Sequence, residues 1–343
     1  MELWVAILLC VIAGFATAFL SGFAFVPWLR KLKFGQAILD IGPSWHKKKQ
    51  GTPTMGGFII ITGFAAAFIV VLVTDKLLGG NILLAGNSRP DNVVYIKIFS
   101  GILMAVAFAF IGFIDDYIKV VKKRNLGLTE IQKTVLQIIV IAVYLFTLYN
   151  CGVNFIFIPY LGIIENTFIF WTLGFIAIYG TVNAVNFTDG VDGLCSSVTA
   201  VVCAGFAVCS VIMSFSGLSI LCASLFGALI GFLMWNWNPS KVIMGDLGAF
   251  FLGGMVCAFA FSLDAPWLII PIGFIYVIEF LSDILQIAYI KTHNGKKLFR
   301  MAPIHHHYEM GGWSEKKICK VFTLVSAIGS ATAIALSWFG RLQ

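Results

Sequence analysis

Ten long apolar runs divide this chain, at about residues 3–29, 56–78, 93–114, 131–149, 166–186, 195–214, 218–235, 247–264, 267–290 and 318–339. A helix of about 20 apolar residues crosses the hydrocarbon core of a bilayer. Backbone in that core must satisfy its own hydrogen bonds, so each run is predicted to be a transmembrane helix. The expected fold is an all-α integral membrane protein of about ten transmembrane helices, a single polytopic domain over residues 1–343. No internal repeat, low-complexity tract or soluble domain interrupts the pattern. The first run is not read as a cleaved leader: Glu2 precedes it where a basic residue would stand, the run is too long, and the basic residues follow it. Residues 150–165 are weakly polar, carry Pro159 and Gly162, and are predicted to form a short hairpin lying on the membrane.

The polar positions between the runs are sharply one-sided. Of the 23 Lys and Arg, only Lys76, Arg89, Lys97 and Arg341 fall in connections on the side that holds the two termini. The rest follow runs one, three, seven and nine, and the connection after run five, on the same side, carries none. Positive residues collect on the cytoplasmic side, so that side is predicted to be cytoplasmic and both termini extracytoplasmic. An odd number of spans would destroy this separation. All five histidines lie on the cytoplasmic side too, as do Asp115, Asp116, Asp189, Asp192 and Asp246. The chemistry therefore sits at one interface, with the longest connections there, 30–55 and 291–317, as the natural substrate-binding loops.

Composition agrees: hydrophobic residues make up 59% and charged residues 11%. A soluble protein does not carry so many spanning runs. The eight cysteines show no metal-ligand spacing and most lie within apolar runs, where cysteine behaves as a small hydrophobe.

Several polar groups interrupt this pattern. Asp115 and Asp116 close the third run just before Lys119. They are either a solvated helix end paired with lysines, or a nucleophile, base or metal-site pair. Neighbouring helical residues point about 100° apart, so one can face a cleft while the other is held by a neighbour. Asp246 opens the eighth run after Met244-Gly245, where a carboxylate can also simply cap a helix. Asn236 before Pro239 has the same bland alternative. Asn186, Asp189 and Asp192 are spaced by three, in a glycine-interrupted turn that could converge on a ligand or be ordinary turn chemistry. His305, His306 and His307 are consecutive, which disfavours tetrahedral zinc; they read as donors toward phosphate or as an exposed polar loop. Lys47 to Lys49 before the glycine-rich 51–57 turn suit phosphate at a helix N-terminus, or are ordinary cytoplasmic lysines; no P-loop pattern is present. Glu279, Asp283 and Gln286 line one helix face, which must look into protein or a watery cleft. Carboxylates without a Cys–His set favour magnesium over zinc, and cations beside Mg²⁺ suit a phosphoryl or pyrophosphate substrate.

Together, Asp115-Asp116-Tyr117, Asn186-Phe-Thr-Asp189-Gly-Val-Asp192-Gly-Leu, Met244-Gly245-Asp246 and Pro303-Ile-His-His-His-Tyr-Glu309 resemble the polyprenyl-phosphate sugar-1-phosphate transferases. The resemblance runs from the first span to the last. The histidine stretch and Lys49-Gln-Gly-Thr-Pro-Thr-Met-Gly-Gly resemble the branch that acts on UDP-MurNAc-pentapeptide rather than the GlcNAc-1-phosphate branch. The resemblance implies Mg²⁺-dependent transfer of phospho-MurNAc-pentapeptide from UDP-MurNAc-pentapeptide to undecaprenyl phosphate, giving lipid I and UMP in peptidoglycan synthesis. It implies a homodimer in the bacterial inner membrane, its active-site cleft facing the cytoplasm, with no nucleic-acid partner. By motif, Asp246 would be the metal ligand and Asp115 the base or nucleophile, with Asp116 beside it and His305 among the catalytic groups. Lys49, Thr54, Lys133, Asn186, Asp189, Asp192, Asn236, Gln286, His305, His306 and His307 would bind substrate. One departure is Ile243, where the family often has Phe, so no aromatic stack on uracil is expected from this position. Direct attack by the lipid phosphate is favoured over a phospho-aspartate. The rival from another class is a cation-coupled transporter using Glu279, Asp283 and the interfacial carboxylates.

Overall fold

The computed structural model describes residues 1–32, 51–87, 89–121, 127–158 and 162–340. The chain forms helices α1 (Leu3–Lys31), α2 (Gly57–Leu77), α3 (Asp91–Val121) and α4 (Glu130–Asn150), then the hairpin β1 (Phe155–Ile158) and β2 (Gly162–Glu165). There follow α5 (Thr167–Thr188), α6 (Leu194–Ile212), α7 (Leu218–Asn236), α8 (Gly245–Ser262), α9 (Ile269–Ile272), α10 (Phe274–Thr292), α11 (Ile304–Glu309) and α12 (Glu315–Gly340). Among the described residues nine helices are long and apolar enough to cross a membrane, ten if one bent pair counts as a span. The chain is thus an all-α, multi-pass membrane protein.

The bent pair is the ninth apolar run. The sequence pattern predicts one continuous span there; the structure breaks it into Pro266–Ile272 and Phe274–Thr292, bent by 85°. Pro266 and Pro271 each lack a backbone donor, and Gly273 stands at the break. The third run differs the other way: α3 continues to Val121, so Asp115 and Asp116 lie inside a helix rather than at its end. Between α4 and α5 the predicted hairpin is present, with β1 and β2 antiparallel and Phe155 opposite Glu165. Its Phe157 N–H donates to Asp264 O at 2.9 Å. The Asp264 carboxylate also holds both Arg89 (2.9 Å) and Lys97. Two of the few basic residues on that side thus share one carboxylate.

Helix α8 is the centre of the bundle. Every residue from Leu247 to Ser262 is buried, whereas α1 buries a single stripe, Ala6, Cys10, Gly14, Ala18, Gly22, Val26 and Leu29. Lipid tails give helices no hydrophobic drive to associate, so close packing must supply it, and small residues permit it. A Cβ on Gly112 of α3 would stand 2.2 Å from Asp246 O, and one on Gly254 of α8 2.6 Å from Ala105 Cα. On the far side of α8, a Cβ on Gly253 would stand 2.7 Å from Val182 Cα of α5. Large apolar side chains point outward, among them Leu103 and Phe110 of α3 and Ile69 of α2, as expected for a lipid-facing wall. None of the eight cysteines forms a disulfide, and only Cys151 is not fully buried.

Candidate active site

Four helix ends meet at one end of the bundle. The C-terminal turns of α3 bring Asp115, Asp116 and Lys119; the first turn of α4 brings Lys133; the end of α5 brings Asn186 and Asp189; the first turn of α8 brings Asp246. Gly245, at φ +75°, makes the reversal into α8, a conformation that costs other residues about 1–2 kcal/mol. A Cβ there would also meet Asp116 Oδ2 and Thr54 Oγ1, each at 2.6 Å. The strand-like segment before α2 clamps this turn: Ile243 N–H donates to Pro53 O (2.8 Å), Gly56 N–H to Ile243 O (2.8 Å) and Gly57 N–H to Met244 O (3.0 Å). Thr54 is thereby held beside Asp116 and the start of α8.

The carboxylates of Asp115, Asp116 and Asp246 each offer an oxygen, all within 4.8 Å of one another. Sequence spacing suggests that only one of the adjacent pair could reach an ion; α8 arriving between them brings all three within reach of one. Asp116 Oδ2 accepts the Leu247 N–H at 3.1 Å, so it caps α8 from another helix. Asp115 Oδ1 accepts the Leu128 N–H at 2.9 Å. Lys119 Nζ lies 2.5 Å from Asp115 Oδ2 and 3.1 Å from Asp246 Oδ2, and Lys133 Nζ lies 3.3 Å from Asp115 Oδ1 and 3.2 Å from Asp246 Oδ2. Asn186 Nδ2 donates to Asp246 Oδ1 at 2.9 Å.

Asp189 ends α5 in the same cluster. Burial pushes its carboxyl well above the usual carboxylate range, and the charges of Asp246 and Asp116 push it the same way. With Asp189 biased to the neutral form, Asp115, Asp116 and Asp246 face two lysines, and their ionised forms leave an excess of negative charge that a divalent cation would offset. Hard oxygen donors with no thiolate or imidazole among them suit Mg²⁺, and Asp246, Asp115 and Asp116 are the residues able to hold it.

Other predicted positions are engaged in holding loops. Asp192 Oδ2 accepts Asn238 Nδ2 (3.3 Å) and Ser240 N–H (3.1 Å), which ties the α5–α6 turn to the α7–α8 loop. Asn236 accepts from Gly193 N–H and Ser196 Oγ and donates to Val242 O, so both ends of its amide are engaged internally. Gln286 does the same for the loop after α10, accepting from Leu298 and Phe299 N–H and donating to Phe299 O. Glu279 and Gln286 are buried and Asp283 half-buried, so this helix face looks into protein. Lys49 lies outside the described residues.

The three histidines point to three different partners. His305 Nδ1 meets Glu279 Oε2 at 3.0 Å, both side chains fully buried. His306 Nδ1 meets Glu309 Oε2 at 2.9 Å. His307 Nδ1 accepts the Arg300 N–H at 3.1 Å, which fixes the proton of the neutral ring on Nε2 and makes that atom a donor. Lys119 is the residue the motif reading missed. Its spacing was the available signal: three residues after Asp116 and four after Asp115, where helical ion pairs form.

A family model described as glycosyl transferase family 4 matches residues 98–264, the stretch that carries the carboxylates, both lysines and the central helix. The fold and site thus define a polytopic membrane transferase of the phosphoglycosyl class. Curated relatives narrow this. One from Clostridium acetobutylicum is 44% identical over 330 residues, covering 94% of this chain and 96% of that one. One from Listeria monocytogenes is 38% identical over 341 residues, covering 96% and 98%, and one from Bacillus thuringiensis 41% over 300, covering 87% of each. All three are named phospho-N-acetylmuramoyl-pentapeptide-transferase. The chain belongs to this family, which favours the pentapeptide branch over both the GlcNAc-1-phosphate branch and the transporter.

Proposed function

We propose that this protein transfers phospho-MurNAc-pentapeptide from UDP-MurNAc-pentapeptide to undecaprenyl phosphate, giving lipid I and UMP for peptidoglycan synthesis. It would do so in the bacterial inner membrane with its site facing the cytoplasm. The observation that carries the chemistry is the meeting of Asp115, Asp116 and Asp246 with Lys119 and Lys133 at one end of a membrane bundle. Such a site can admit a lipid from the bilayer and a nucleotide from water.

In the proposed step an oxygen of the lipid phosphate bonds to the sugar-bearing β-phosphorus. The bond from that phosphorus to the bridging oxygen breaks, and UMP leaves with the electron pair. A phosphomonoester has its second pKa near ~6, so at pH 7 roughly 90% is already dianionic and little is left for a general base to do. The main obstacle is repulsion between two anions. Lys119 and Lys133 reduce it, since each has its ammonium within reach of the site's carboxylates and can turn to phosphate oxygens. Mg²⁺, held by Asp246 with Asp115 and Asp116, would supply Lewis-acid charge stabilisation on the pyrophosphate. Asp115, fixed by Leu128 N–H, would orient the attacking phosphate or remove its residual proton. Thr54, Asn186 and Asp189 border the cluster and would position the nucleotide sugar, with Lys49 contributing from the loop before them. Asp192, Asn236 and Gln286 would shape that subsite through the loops they hold. His306 and His307 would meet phosphate or sugar, and Ile243 would give uracil an aliphatic contact rather than an aromatic one.

The test is UMP release by purified protein from the two substrates, with Mg²⁺ or EDTA. Magnesium-dependent UMP supports the reading. No UMP from folded protein, or equal turnover of UDP-GlcNAc, overturns it.

A further inference from the structure

His305 is a chemically active residue in an inactive place. Its side chain is fully buried, as is that of Glu279, and the two meet at 3.0 Å through Nδ1 and Oε2. Among the described residues, His305 Nε2 and Glu279 Oε1 have no hydrogen-bond partner. Orphaned buried polar atoms are uncommon and call for an explanation. The geometry of Gly190 supplies one. A Cβ added there would lie 2.2 Å from His305 Nε2 and 2.8 Å from Cε1. The edge of the imidazole therefore presses on bare glycine backbone, in the turn between Asp189 and Asp192.

That turn is also tied from its other sides. Asp189 N–H donates to Asn186 O at 3.2 Å, and Asn186 holds Asp246. Asp192 N–H donates to Glu315 Oε2 at the start of α12, while its carboxylate holds the α7–α8 loop. The imidazole is the wedge between this turn and α10, and Glu279, rooted in α10, fixes the direction of the wedge.

We propose that Glu279 and His305 are a positioning pair: they set the place of the Asp189–Asp192 turn, and through it the nucleotide-sugar subsite, without His305 touching substrate or exchanging a proton with it. The proposal rests on the transferase reading above. It makes three demands. Gly190 has to remain without a side chain while His305 is present. Glu279 has to accept a hydrogen bond from Nδ1, which a glutamine can also do. And the loss on breaking the pair has to fall on the nucleotide sugar rather than on the lipid.

The experiment measures UMP release by Gly190→Ala, His305→Ala, the double variant, Glu279→Gln and Glu279→Ala. It takes KM for each substrate separately and the pH profile of kcat. Wild-type turnover comes first, so failure of the transferase reading is seen before any variant is interpreted. Gly190→Ala and His305→Ala are each expected to raise KM for the nucleotide sugar about tenfold, with KM for the lipid unchanged. The double variant is expected to match His305→Ala alone, because with the imidazole gone the alanine has nothing to strike. Glu279→Gln should keep activity within about threefold and leave the pH profile in place, while Glu279→Ala should behave like His305→Ala. A variant that merely loses folded protein would lower the active fraction and leave both KM values alone, which would overturn the proposal. So would Glu279→Gln as inactive as Glu279→Ala with a shifted pH limb, since His305 would then be a proton carrier tuned by a charge. Additive losses in the double variant would also overturn it.

Discussion

At Asp246 one carboxylate answers to Lys119, Lys133 and Asn186 at once. Replacing it with Asn keeps the shape and the contact to Asn186 but removes the charge that opposes the two ammoniums and would hold a cation. UMP release is expected to fall by about 10²–10³-fold, the scale of losing one preorganised electrostatic group. Lys119→Met removes a cation while keeping most of the stem. It is expected to cost about tenfold or more at saturating substrate; unchanged kcat would remove Lys119 from the mechanism. Asp189 gives a pH signature. Its folded carboxyl titrates above its unfolded value, because burial and the charges of Asp246 and Asp116 favour the neutral form. The protein without divalent cation therefore carries no penalty from this residue below the unfolded value, and loses stability as the pH rises from there through the folded value. Asp189→Asn in EDTA should then raise the melting temperature at pH 7 and change it little near pH 4, read by intrinsic fluorescence in detergent. A stabilisation as large at pH 4 as at pH 7 would contradict the assignment.

At the scale of elements, the site exists because α3 and α8 touch. Gly112 lets the α3 backbone approach Asp246 O more closely than any side chain would allow. Gly112→Ala is expected to cost about 1–3 kcal/mol of stability and to lower activity further by parting the carboxylates, a pair of effects seen by comparing thermal unfolding with UMP release on the same sample. The sequence was legible at this level only in part. The fourth apolar run, read at 131–149, matches α4, which the structure starts at Glu130 behind a reciprocal capping box of Thr129 and Gln132. The break at Gly273 was hidden, because an apolar run reads the same whether the helix is straight or bent by 85°. Continuation of α3 past Asp116 was hidden for a related reason. Hydropathy drops at the carboxylates, but the helix does not stop where the apolar residues do.

For the whole molecule, Cys151 reports sidedness. It follows α4 next to the hairpin and is the one cysteine not fully buried. A membrane-impermeant maleimide is expected to label it in intact spheroplasts and to fail in a Cys151→Ala control. Labelling only from inverted vesicles would reverse the proposed orientation. The same membranes treated with a bifunctional amine cross-linker test assembly: a cross-linked pair of chains is expected if the active form is the homodimer that the family resemblance implies, and a monomer that turns over at full rate would argue against it.

That the chain is a multi-pass helical membrane protein, and that its basic residues gather in alternate connections, follow from the sequence alone. A bilayer imposes a length on every apolar run and a bias on every charged loop, and both are readable without knowing any contact. The acidic motifs were readable too, as carboxylates costly to place near lipid without a purpose. What the sequence left undecided depends on the rotation and order of helices around one another, which no linear pattern records. Tertiary structure put α8 at the centre, brought Asp115, Asp116 and Asp246 within 4.8 Å, gave Lys119 to two helices, and spent Asn236 and Gln286 on loops. It also turned three adjacent histidines to three partners and set His305 against Gly190, because close packing in a membrane is decided by which small residue meets which backbone.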